Sequence, residues 1–86
     1  MKHPKSPEAR AAEVRHLTSQ LHEVGLPDEV TRPVMEAMRD FEETGQGYSQ
    51  VVPVPGTPIR LVCLLSNQAH ITSHIRITRS RRPPGR

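Results

Sequence analysis

The sequence predicts an α+β fold: two N-terminal helices packed on a three-stranded antiparallel β-meander, followed by a flexible basic C-terminal tail. Three observations point there. Apolar residues recur at helical spacing up to Val24 and again from Val34 to Phe41. From Pro58 to Thr78 two β-branched runs flank a polar break, Ser66-Asn67-Gln68-Ala69, which reads as a hairpin. The closing stretch RSRRPPGR has no apolar residue with which to build a core.

Residues 1–5 are expected to be a disordered end. Ser6-Pro7-Glu8 then gives an N-cap, a proline at the first helical position and an acid in the first turn, starting a helix over 7–24. Along it Val14, Leu17, Leu21 and Val24 recur at 3-4-3 spacing, with Ala11 extending the row. That stripe has the width of a coiled-coil seam, so it is a candidate dimer or partner seam. Gly25 supplies the left-handed position after the last periodic residue, and Leu26 is placed to fold back on Leu21.

Pro27-Asp28 makes a turn, and a second helix is expected over 32–44 with Thr31 as its cap. A start at Asp28 would put Pro33 beyond the positions whose N–H groups are free. Val34, Ala37, Met38 and Phe41 form the apolar face, and Gly45 ends the helix. Glu36, Asp40, Glu42 and Glu43 crowd its C-terminal part, where acids oppose the helix dipole. They imply a positive neighbour, for which the basic sheet is the nearest candidate.

Strands are expected over 49–54, 59–65 and 70–78, within a single α+β domain covering 6–79, with 80–86 as the tail. Pro53 cannot donate to a ladder and makes the first strand an edge. Pro55-Gly56-Thr57-Pro58 is the turn into the hairpin. A three-residue loop at Asn67-Gln68-Ala69 gives the cleaner pattern, since a one-residue slip would move every side chain to the other face. That register pairs Leu65 with Ile71, Cys63 with Ser73, Leu61 with Ile75 and Ile59 with Ile77. The other face then pairs Leu64 with Thr72, Val62 with His74, and Arg60 with Arg76, two like charges across a ladder.

Composition narrows the function classes. With 34% hydrophobic and 2% aromatic residues in 86, the core is small, and burial supplied by a partner is expected, most simply by homodimerisation. The longest apolar run, Leu61 to Leu65, is far short of a membrane span. The charged start MKHPKSPEAR has no apolar stretch behind it, unlike a secretory signal. One cysteine excludes an internal disulfide and fits a reducing compartment, so the protein is read as cytoplasmic.

Charge is distributed unevenly. All nine acids lie at or before Glu43, and the remainder carries six Arg and no acid. One reading is an anionic partner for the C-terminal half; the other is an acidic helix that satisfies a basic sheet internally. In the expected register Arg60, His74, Arg76, Thr72 and Thr78 share a face, and Arg79, Arg81, Arg82 and Arg86 continue beyond it. Arginine with hydroxyls suits phosphate contacts. The strip has no aromatic residue, so base stacking is not available to it.

Other chemistries lack a constellation. His70 and His74 sit about 13 Å apart along a strand, His16 and His22 point in different directions on a helix, and Cys63 has no second cysteine for a zinc site. There is no Gly-rich phosphate loop and no nucleophile elbow. Cys63 and His74 fall on opposite faces, which excludes a dyad. Tyr48 and Arg60 are single residues of site-lining type. The expectation is a protein that is not an enzyme, with no cofactor and no metal.

A helical pair followed by a meander, with Arg60 in IRLV and Arg76 and Arg79 in HIRITR, resembles the RelE/ParE toxins. Those are small basic proteins whose RelE branch cleaves messenger RNA in the ribosome using basic residues of the sheet. The resemblance covers the C-terminal half. The chain lacks that family's leading strand, and no Tyr or Lys stands near the end for proton transfer.

The residues therefore predict a small non-enzymatic regulatory binding protein. Its surface is Arg60, His74, Arg76, Arg79, Arg81 and Arg82, directed at nucleic acid or at an acidic protein surface. The alternative is a protein–protein interaction module or inhibitor docking on a larger protein through Val62, Leu64, the first-helix seam or the edge strand. A toxin of the RelE/ParE kind is the third.

Overall fold

The computed structural model describes residues 3–79. Its elements run α1 (Pro7–Val24), α2 (Asp28–Thr44), β1 (Tyr48–Pro53), β2 (Ile59–Leu65) and β3 (His74–Arg79). The strands form one antiparallel sheet in the order β1-β2-β3. Both helices cover the face that carries Leu61, Cys63 and Leu65, an α+β arrangement.

α1 begins and ends as its sequence implies. The Ser6 hydroxyl accepts from the Ala9 N–H at 3.1 Å, Pro7 occupies the first turn, and Gly25 closes the helix at φ 72°. The stripe is core: Leu17 and Leu21 are buried, and Val14 packs against the same cluster. Burying a leucine contributes about 1.5–3 kcal/mol, and here that burial comes from α2 and the sheet of the same chain.

α2 starts four residues earlier than expected, at Asp28 after an N-cap at Pro27, and Thr31 does not cap it. Val30, Val34, Met38 and Phe41 form one buried row, and extending the helix back to include Val30 lengthens that row by a turn. Pro33 gives no N–H to the Glu29 carbonyl, but both residues are exposed. The missing bond therefore faces water rather than the interior. Asp28 and Glu29 also suit the positive end of the helix dipole.

The positive neighbour at the C-terminus of α2 is Arg10, not the sheet. Its buried guanidinium donates to the Glu42 carbonyl from Nε at 3.3 Å and Nη2 at 3.2 Å. Its Nη1 donates to the Lys5 carbonyl at 3.2 Å. The Gly45 N–H reaches the Phe41 carbonyl at 2.8 Å and the Thr44 hydroxyl the Asp40 carbonyl at 2.9 Å. Two of the helix's open carbonyls, those of Phe41 and Glu42, thus have partners.

The segment before α1 is not a loose end from residue 3 onward. Lys5 donates its N–H to the Asn67 carbonyl at 2.9 Å, Ala69 donates to the His3 carbonyl at 2.8 Å, and Pro4 bridges Gln68. Lys5 Nζ binds both Glu13 oxygens at 2.9 and 3.0 Å and the Ser66 carbonyl at 2.7 Å, and it sits 5.9 Å over the Phe41 ring. Glu13 also accepts the Ser73 N–H at 3.2 Å, while the Ser73 hydroxyl accepts the Ser66 N–H at 3.0 Å.

These contacts occupy the chain between β2 and β3. Residues 66–73 form a longer connection than the three-residue loop, and β3 starts at His74 rather than at residue 70. The register is Ile59↔Arg79, Arg60↔Thr78, Leu61↔Ile77, Val62↔Arg76, Cys63↔Ile75 and Leu64↔His74. It differs from the expected one by two residues, an even step, so every side chain keeps its face. Arg60 and Arg76 consequently do not stand opposite each other.

Two predictions follow from this packing. Burial raises the Glu13 carboxyl, but hydrogen bonds from Lys5 and Ser73 outweigh it and hold the group below its ordinary value. A depressed carboxylate contributes stability above its unfolded pKa and loses it as pH falls through the folded one. In denaturant titrations from pH 6 to pH 2, wild type should therefore lose more stability below about pH 4.5 than Glu13→Gln; parallel curves would refute this. A Cβ on Gly45 would lie 2.5 Å from Asn67 Nδ2, at φ 80°, whereas one on Gly25 meets nothing within 4 Å. Gly25→Ala should cost about 1–2 kcal/mol and Gly45→Ala more, with the excess vanishing in an Asn67→Ala background.

Candidate functional site

The sheet face away from the helices is built by three strands in register. Alternation along each strand and the observed pairing give the rows Ser49–Leu64–His74, Val51–Val62–Arg76 and Pro53–Arg60–Thr78. Arg60, His74 and Arg76 are exposed, Val62, Leu64 and Thr78 are half-buried, and Val51 is 50% exposed. Val51, Val62 and Leu64 thus make an apolar centre, with Arg60 and Arg76 as diagonal neighbours in adjacent rows beside it. His74 Nδ1 lies 3.4 Å from the Thr72 carbonyl. A carbonyl only accepts, so a bond there leaves Nε2 directed elsewhere.

The charge asymmetry becomes spatial. Every acid of the chain lies within α1 or α2, on the opposite side of the sheet from this face. The one ion pair among the described residues joins Lys5 to Glu13. Internal neutralisation of the sheet by the acidic helix, one of the two readings of the charge pattern, is thus not realised among the described residues. Arg60 and Arg76 present their charges to solvent on a face without acids.

The remaining candidate residues divide. Arg79 pairs with Ile59 and alternates to the helix side of the sheet, where it is exposed at the strand end. It does not join Arg60 and Arg76. Thr72 lies in the 66–73 connection rather than opposite Leu64. Arg81, Arg82 and the rest of the basic tail lie outside the described residues. Of the α1 seam, Val14, Leu17 and Leu21 serve the core, and Val24 alone is open, at 43%; the seam does not form a partner surface. Val51, expected only as part of the edge strand, joins this face through the alternation Gln50-Val51-Val52 once β1 is aligned with β2.

Neither Cys63 nor Tyr48 belongs to this face. Cys63 is buried on the helix side, and burial pushes its thiol up to about 11. His74 is on the other face, so the two do not meet. Tyr48 pairs with Leu65 on the helix side, its pKa raised by burial, and is separated from Arg60 by the sheet. Among the described residues no group of three or more His, Cys, Asp and Glu is placed to hold a metal ion, and no helix is long and apolar enough to cross a membrane.

Fold and face together define an α+β protein with an acidic helical layer and an open, basic sheet surface. Comparison with known proteins finds no matching family model, no matching curated protein and no matching solved structure.

The thiol gives a direct check on this orientation. At neutral pH Cys63 should resist a maleimide or iodoacetamide in the native protein and react rapidly after denaturation. Equal rates in the two states would place the sulfur outside the interior.

Proposed function

We propose that this is a small, non-enzymatic regulatory protein that binds nucleic acid through the open sheet face, with Arg60 and Arg76 as phosphate contacts. The observation that carries the reading is the separation of charge: acids confined to the helices, arginines on a face with none. Thr78 and His74 add hydrogen-bonding groups beside them. Without aromatic side chains on the face, contact is directed at the backbone rather than at stacked bases. The protein acts in the cytoplasm on this reading, which its single buried thiol supports.

A second reading rests on a different observation. Val51, Val62 and Leu64 form an apolar centre edged by arginine, the composition of a protein interface core rather than of a phosphate track. On that reading the face docks on an acidic protein surface.

Binding of labelled duplex and single-stranded DNA and RNA, measured across a salt series, separates the two. Nucleic-acid binding should weaken steeply with salt, and Arg60→Ala and Arg76→Ala should each lower the salt slope by about one. Val51→Asp, which adds one negative charge, should weaken it only modestly. Absence of binding at low salt removes the first reading. A stoichiometric partner insensitive to nuclease and lost with Val51→Asp establishes the second. Cleavage of the RNA, abolished by Arg60→Ala, would overturn the non-enzymatic assignment.

A further inference from the structure

We propose that β3 is the contact strand of a symmetric homodimer, in which the β3 strands of two copies pair antiparallel about Ile77 and merge the sheets into one of six strands. The two sheet edges differ. β1 ends on Pro53, which has no N–H to give, and Pro55 follows soon after. β3 has no proline and no glycine, and among the described residues no strand pairs with its outer side. An edge left without such blocking is a template for another strand.

The side chains of β3 select a second copy as the occupant. Antiparallel pairing about a two-fold axis perpendicular to the sheet keeps both helix layers on one side and sets even residues opposite even ones. Centred on Arg76, it would place Arg76 against its own copy, a like-charge pair. Centred on Ile75 or Thr78, it would leave Ile77 opposite Ser73 or Arg79. Centred on Ile77, it sets Ile77 against Ile77, Arg76 against Thr78 and Ile75 against Arg79. Ile77 is the residue in need of cover: it is 41% exposed, while Leu61 beside it in the same row is fully buried. Five residues, Ile75 to Arg79, suffice for the pairing, and all lie in β3.

Such a dimer would join two open faces into one and bring the Arg60 and Arg76 of both copies onto it. That consequence rests on the nucleic-acid reading; the strand pairing does not. The test is sedimentation velocity over a concentration series without nucleic acid. Wild type should show a reversible monomer–dimer equilibrium, and Ile77→Lys should be monomeric with an unchanged circular dichroism spectrum. Ile77→Cys should give a disulfide-linked dimer on mild oxidation, because directly opposed Cα atoms lie about 4.5–5.5 Å apart, inside the range a disulfide spans, while Val51→Cys should not. A wild type that stays monomeric throughout overturns the proposal. So does a dimer that Ile77→Cys fails to link, whether or not Ile77→Lys folds. Arg60→Ala, on β2, should remain dimeric while its nucleic-acid binding weakens, so pairing and binding can fail independently.

Discussion

The Glu13 carboxylate fastens together three parts of the chain that are far apart in sequence. It sits on α1, binds the ammonium of Lys5 from the preceding segment and receives the N–H of Ser73 at the foot of β3. Lys5 in turn reaches the Ser66 carbonyl at the end of β2. The ammonium is largely removed from water, so losing its counter-charge is costlier than losing an exposed pair. Once these bonds are made, the chain between Leu65 and His74 has little freedom, and the alignment of β3 on β2 is set. The position of Arg76 on the open face therefore depends on a carboxylate on the other side of the sheet.

Much of the fold could be read locally. Ser6, Pro7 and Gly25 act on the backbone within a turn of themselves, and α1 runs between them as expected. β2 likewise matches its apolar run from Ile59 to Leu65. What local reasoning missed depends on distant partners. Asp28 starts α2 because Val30 finds a place in the core, which outweighs the objection raised by Pro33. The start of β3 depends on Lys5 and Glu13, neither of which signals its partner in sequence. His3 to Lys5 have a composition suggesting a loose end and are held by the backbone of Asn67 and Ala69.

The candidate face was legible for a reason that outlasts the wrong loop length. Side chains alternate with period two, so an even displacement of β3 changes its neighbours without changing its sides. Arg60, His74 and Arg76 thus gather as expected, although the like-charge opposition of the two arginines gives way to a diagonal. Arg79 fails because strand alternation continues through it, so its proximity in sequence to Arg76 places it on the opposite side. The α1 stripe fails differently. A narrow apolar row suits a partner helix or the chain's own interior equally well, and only the tertiary structure shows α2 and the sheet taking that place.

The routing of the chain also fixes where it enters and leaves. His3 lies beside Ala69, at the end of the sheet where β2 hands over to β3, whereas Arg79 pairs with Ile59 at the other end. The length of β2, about 20 Å at strand rise, separates the two poles. Labels placed at His3 and at Arg79 would therefore sit at opposite poles of the sheet. Joining residue 79 back to residue 3 in a circularly permuted chain would take a connection of at least about six residues to span that distance.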